Sequence, residues 1–185
     1  QNQAALLENW CLAQLRKPVF GVLGNHDTQA PGPDVTVPLR QTLQQLGVQL
    51  LDGKKHTFKG WELVGLSDLW GGSPLQEAAQ LLQTPAAVPR LIIMHQPDTA
   101  ALLPSASHAT LMVSGHTHGG QIWLPWVTAN RVLPGMSQHG WYEGPYATPA
   151  GNLFVTAGVG TIGLPARLGV APRVDVLHSR PCKTP

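Results

Sequence analysis

Charged side chains are scarce in this 185-residue chain: Asp, Glu, Lys and Arg make up 12% of it, against about 25% in ordinary soluble domains. The formal net charge is +2 and the basic residues are scattered, so no stripe for a nucleic-acid backbone is present. Cysteine is almost absent as well. Cys11 and Cys182 lie near opposite ends, outside any C-x-x-C or zinc-finger spacing, which removes thiolate metal sites; a single disulfide between them stays open. No long apolar run occurs. The longest weakly polar stretch, Leu153 to Val170, is broken by glycines, Pro165 and Arg167, and does not read as a membrane span. The chain opens with no signal peptide. Aspartate is missing from the beginning: the first is Asp27, and the only earlier carboxylate is Glu8.

What is present suits one globular domain over residues 1–185. Apolar residues make up 43% of the chain, and 20 glycines and 17 prolines predict many turns and long connections. Leu7, Trp10, Cys11 and Leu15 fall at helical spacing, with Arg16 and Lys17 where a helix end favours cations, so residues 3–17 read as a helix stopped by Pro18. VFGVLG follows as a buried strand. A second helix is expected near Pro38 to Leu46, capped by Gly47, and a short amphipathic one over 74–83. VQLLD, KHTFK, WELVGLS, RLIIMH, TLMVSGH, QIWLP, NLFVTAG and RVDVLHS read as strands, with DGKK (52–55) turning between the first two. No internal repeat is found. The pattern is α/β.

Three apolar runs, VFGVLG, LIIM and TLMVSG, each end in a polar cluster carrying histidine: GNHD, HQPD and SGHTHGGQ. In α/β sheets, sites form beyond the carboxyl ends of strands, so these clusters are expected to converge. Neutral imidazole binds zinc, iron and manganese, and carboxamide or carboxylate oxygens complete such shells. His116 and His118, one residue apart among glycines that permit unusual backbone angles, could reach two adjacent ions or share one face. Each cluster also has a plainer reading. His95 could be a hydrogen-bonded core residue, N-H-D a turn with an Asx-type cap, and H-x-H a histidine-rich surface loop. Asp27 and Asp68 could be turn aspartates. Trp123, Trp126 and Trp141 could wall a cleft or pack in a core. His56, His108, His139 and His178 fit no motif and read as ordinary polar residues.

Taken together and in order, GNHD (24–27), HQPD (95–98) and GHTHGG (115–120) resemble the later motifs of the calcineurin-like metallophosphoesterases, in particular a bacterial branch marked by SGHTHGGQ. YEGPY (142–146), GVGTIGLPAR (158–167) and GLSDLWGG (65–72) extend the resemblance over nearly the whole chain. It implies a layered α-β-β-α sandwich and a two-metal centre that hydrolyses phosphodiesters or pyrophosphates with a metal-bound hydroxide. Asn25, His95 and His116 would bind one ion and His118 the other; His26 would be general acid or transition-state donor, oriented by Asp27. The ions could be manganese, zinc or iron. Such a centre stabilises both the attacking and leaving oxygens of an in-line displacement. The substrate implied is a phosphoester, with lipid-linked and nucleotide-sugar esters known in the branch, and the compartment is cytoplasmic or membrane-associated, any anchor lying upstream.

Two earlier motifs of that family, D-x-H and G-D-x-x-D, occur nowhere in the 185 residues. The bridging carboxylate and two ligands of the ion shared with His118 are therefore missing. The expectation is a chain comprising the later two-thirds of a metallophosphoesterase domain, binding metal weakly and hydrolysing phosphodiesters poorly by itself. The alternative is a degenerate or non-catalytic metal-binding or interaction module.

Overall fold

Parallel strands buried on both faces read as continuous apolar runs, and LIIM and TLMVS build such strands here. The computed structural model describes residues 17–28, 33–84, 87–106, 109–124 and 136–179. Its elements are β1 (Val19–Gly21), α1 (Thr36–Gln45), β2 (Val48–Leu50), β3 (Lys54–Phe58), β4 (Trp61–Gly65), α2 (Pro74–Leu81), β5 (Arg90–Ile93), β6 (Thr110–Ser114), β7 (Gly144–Thr148) and β8 (Gly151–Val155). The helix expected over residues 3–17 lies outside the described residues, apart from Lys17.

Six strands form one sheet in the order β3-β4-β5-β6-β8-β7, and β1 and β2 form a second, parallel pair. Within the large sheet β4, β5, β6 and β8 run parallel, while β3 and β7 are antiparallel edges. Val64, Ile92, Met112 and Leu153 stand side by side across the four parallel strands. All four are essentially inaccessible, and Leu81 and Leu82 at the end of α2 pack on their cluster. Each such side chain contributes about 1.5–3 kcal/mol of burial free energy. On the small sheet, Leu39 and Leu43 of α1 and Val19 of β1 pack against Leu23, Val48 and Leu50. Phe20 points the other way: its ring lies 5.1 Å from His56 and 5.3 Å from Phe58 at the margin of the large sheet. The layer order at that corner is α1, small sheet, large sheet, α2. This is the mixed α/β sandwich that the resemblance implied. Beyond the corner, Trp61, Leu91, Leu111, Val113 and Phe154 line an apolar groove of about 550 Å³ on the large sheet.

Several local expectations change. DGKK does turn the chain, with Gly53 at φ 65°, but it hands the chain from the small sheet to the large one, so β2 and β3 are no hairpin. The hairpin is β3-β4, closed by Lys59 (φ 48°) and Gly60 (φ 78°), the pair of positive angles that matches strand twist in a two-residue turn. Of QIWLP, the described residues 121–124 form no strand; Ile122 makes one bridge to Leu168, because Gln121 at φ 54° breaks the extended run. RVDVLHS forms none either. Val174 and Val176 face outward while Asp175 accepts from Thr156 Oγ1 at 2.6 Å. GPYAT, unanticipated as a strand, pairs with β8 at the sheet edge, the place where a proline costs no ladder hydrogen bond. Among the described residues, no helix is long and apolar enough to cross a membrane.

Candidate metal centre

The three histidine-bearing clusters follow β1, β5 and β6. After β1, Asp27 N–H donates to Gly24 O (3.0 Å) and Gly24 N–H to Asp27 Oδ2 (2.8 Å). This tight turn buries Asn25 (1% exposed) and turns His26 out to solvent. After β5, Gln96 and Pro97 start a 3-10 turn over Pro97–Leu102, leaving His95 at the strand tip. After β6, Gly115 N–H donates to His95 O (3.1 Å), and His116 and His118 adopt φ of 68° and 50°. Left-handed angles at two non-glycine residues are uncommon and mark backbone held in place by its surroundings.

These turns bring three donor atoms together. His95 Nε2 lies 2.7 Å from Asn25 Oδ1, His116 Nδ1 lies 3.2 Å from the same oxygen, and the two nitrogens are 3.1 Å apart. The rings meet edge to face at 4.9 Å. Donors in adjacent positions around an ion with bonds of about 2.0–2.1 Å stand about 3 Å apart, so the triangle has the dimensions of one face of a coordination shell. An Nδ1 lone pair aimed into the triangle leaves the proton of the neutral His116 ring on Nε2, which is buried without a hydrogen-bond partner. Metal-binding histidines commonly donate that second N–H to an outer partner. Burial pushes His95 and His116 down to about 4, with the neighbouring histidines adding to the shift and the Asp68 carboxylate opposing it. Both rings are therefore neutral at pH 7, with lone pairs free for a cation. Nitrogen and carboxamide oxygen donors suit a borderline metal ion. Among the described residues, no group of three or more His, Cys, Asp or Glu is arranged to hold one; the third donor here is a carboxamide.

His118 and His26 lie within electrostatic range of His95, each acting to lower its proton affinity. The His118 ring passes Gly160, and its carbonyl accepts from Arg167 Nη1 at 3.2 Å. The Asp27 carboxylate is engaged by the backbone of its own turn, the plainer of its two readings, and the segment after it folds back through Thr36 Oγ1 on Asp27 O (3.0 Å).

Five residues support the site, Gln96, Asp68, Gln121, Arg167 and Asp98, and of these the sequence patterns assign a role only to Asp68. Gln96 is buried and spans the loop after β4, donating to Asp68 Oδ1 and accepting from Leu69 N–H at 2.9 Å. Asp68 itself, 1% exposed, accepts from the backbone N–H of Trp70 (3.0 Å) and Gly71 (2.6 Å). Its carboxylate organises its own turn, as the turn reading of that aspartate expects. Gln121 clamps the 158–167 segment through Ile162 N–H and the carbonyls of Ile162 and Leu164. Arg167 gathers the carbonyls of Ala157 (2.7 Å) and Gly160 (2.9 Å) beside that of His118. Asp98 draws in the segment from 137 to 139. A Q directly after HTHGG was the one available signal for Gln121.

Over most of its length the chain is similar in sequence to bacterial metallophosphoesterases. It is 31% identical over 166 residues to "Phosphodiesterase YaeI" of Escherichia coli (strain K12), covering 87% of this chain and 58% of that protein. It is 33% identical over 175 residues to "Uncharacterized metallophosphoesterase YkuE" of Bacillus subtilis (strain 168), covering 89% of this chain and 58% of the relative. A Campylobacter jejuni relative, "Uncharacterized metallophosphoesterase Cj0846", is 30% identical over 86% of this chain and 41% of its own length. The chain thus spans 58% of the length of the first two relatives and 41% of the third. No family model and no solved structure matches it.

Proposed function

We propose that this chain is the histidine-bearing part of a metal-dependent hydrolase that cleaves phosphodiesters at a two-metal centre. The observation that supports it most is the triangle of Asn25 Oδ1, His95 Nε2 and His116 Nδ1. Those three would hold one ion and His118 the second. When bound, the ions supply Lewis-acid stabilisation to the oxygens on phosphorus and acidify water. His26, exposed beside the cleft, protonates or hydrogen-bonds the leaving oxygen, an effect worth about 10²–10⁴-fold. Asp27 holds the turn that presents His26. Neutral His95 and His116 keep the centre free of competing protons near pH 7.

The carboxylates that a metal pair requires are those of D-x-H and G-D-x-x-D, absent from these 185 residues. On this reading the domain is completed by sequence outside them. Manganese, zinc and iron all suit the donor set. Leu164 and Trp123, both well exposed, support an apolar arm on the substrate, in keeping with a lipid-linked ester or nucleotide sugar. The test is metal content and bis-p-nitrophenyl phosphate turnover of the protein expressed from its whole gene. His95→Ala should lower both at least tenfold; unchanged metal content and turnover would refute the assignment.

A further inference from the structure

Beside His116 lies a pocket of about 150 Å³ whose walls include His116, Trp70, Leu69, Leu102, Met136 and His139. His139 belongs to no motif and lies 41 residues from the acid that fixes it. Its Nδ1 is 3.3 Å from Asp98 Oδ1, and its ring stacks on Trp141 at 4.6 Å and 22°. The same Asp98 carboxylate accepts from Ser137 Oγ (2.6 Å) and Gln138 N–H (2.7 Å), and Ser137 Oγ in turn accepts from Trp141 N–H (3.0 Å). The imidazole is thus held on two sides, by a carboxylate and by an aromatic face. The Trp70 ring meets His116 edge to face at 5.1 Å, so the pocket opens directly against the triangle of donor atoms.

We infer that this pocket receives one alcohol of the phosphodiester and selects a compact, polyhydroxylated alcohol of about six non-hydrogen atoms, with His139 as the specificity-determining residue. This rests on the phosphodiesterase reading above. A cavity of about 150 Å³ accommodates a six-atom molecule such as benzene, which sets the size. The chemistry follows from the walls. Leu69, Leu102 and Met136 accept methylene groups. Gln96, also in the lining, is consumed by Asp68 and Leu69 and forms a fixed floor. With Nδ1 held against Asp98, the His139 ring offers Nε2 as a hydrogen-bonding atom, which a hydroxyl satisfies and a hydrocarbon does not. The Gln138 amide, also in the lining, pairs with a neutral hydroxyl on the same footing. In the reaction, the water oxygen joins phosphorus, the P–O bond to this alcohol breaks, and a water proton ends on the released hydroxyl.

The experiment compares methyl glyceryl phosphate with methyl propyl phosphate, which differ only in hydroxyl groups, using the protein expressed from its whole gene. The expected result is a kcat/KM ratio favouring the glyceryl ester at least tenfold, the effect of leaving a site's hydrogen-bonding group unmatched. His139→Ala should collapse that ratio about tenfold, and His139→Gln, which restores a polar partner, should recover part of it, with melting temperatures held within a few degrees. Equal rates on the two esters, or an unchanged ratio in His139→Ala, would overturn the inference. If bis-p-nitrophenyl phosphate is turned over but neither ester is, the inference fails alone; if none of the three is hydrolysed, the phosphodiesterase reading fails, and the pocket is judged by binding. Glycerol phosphate and propyl phosphate are titrated while the His139 imidazole is followed by NMR. A shift with the glyceryl compound alone supports the pocket, and an equal or absent response overturns it.

Discussion

Gly24 offers the sharpest perturbation of the donor triangle. Its φ lies outside the left-handed region, so the backbone there accepts alanine. Space does not: a Cβ at position 24 would stand 2.6 Å from Cε1, 2.7 Å from Nδ1 and 2.8 Å from Nε2 of His95. Non-bonded carbon contacts settle at about 3.5–4.0 Å, so the imidazole of Gly24→Ala must retreat by about 1 Å. Its Nε2 is one corner of a triangle with sides of 2.7, 3.1 and 3.2 Å, and ligand bonds tolerate displacements of only about 0.2 Å. The other two donors cannot follow, because Asn25 is fixed by its turn and His116 by its backbone. Metal affinity should therefore fall about 10–100-fold, while overpacking costs about 1–3 kcal/mol of stability. Competition of Zn²⁺ or Mn²⁺ between the protein and a chromogenic chelator measures the first, and urea melts the second. Wild-type metal affinity in a folded Gly24→Ala protein would refute the geometric reasoning. A loss of stability with affinity intact would do so equally.

Other consequences are independent of that one. His95 and His116 are held neutral to about pH 4 in the fold but protonate near 6.5 when unfolded. The unfolded chain then binds more protons between these values, so metal-free stability should fall as pH drops from 6.5 towards 4 and level off below; urea midpoints that stay flat over that window would contradict the burial argument. Arg167→Ala removes three carbonyl tethers, so amides of 158–166 should exchange faster with solvent by about tenfold or more, and unchanged protection would show that the loop holds itself. Asp52 joins β2 to β1 through Leu23 N–H (2.8 Å) and to α1 through Arg40 (3.3 Å). Asp52→Ala should cost about 2–4 kcal/mol by stranding both partners, and a loss under 0.5 kcal/mol would argue against that cross-link. The apolar groove on the large sheet predicts self-association of the 185-residue chain; sedimentation showing a monomer at micromolar concentration would count against it.

The donor triangle was legible because each member sits at the tip of an apolar run, where strand geometry dictates convergence. α2 was legible for a related reason: Pro74 at its first turn and spaced apolar residues behind it specify a helix locally. What stayed hidden depends on partners far along the chain. RVDVLHS alternates like a strand, but Asp175 takes the inward position with Thr156 and Arg173. GPYAT carries a proline and a glycine that argue against a strand, and only its edge position beside β8 makes it one. α1 begins at Thr36 rather than Pro38, since Asp34 Oδ1 accepts from Thr36 N–H at 2.8 Å and starts the turn earlier. His139 read as an ordinary polar residue because Asp98 and Trp141, which fix it, are identified only by the fold.

The most direct test is anomalous diffraction from crystals of the protein equilibrated with Zn²⁺ or Mn²⁺. The account predicts a metal peak about 2.0–2.3 Å from Asn25 Oδ1, His95 Nε2 and His116 Nδ1 together. A peak elsewhere, or no density among these atoms at saturating metal, would contradict it.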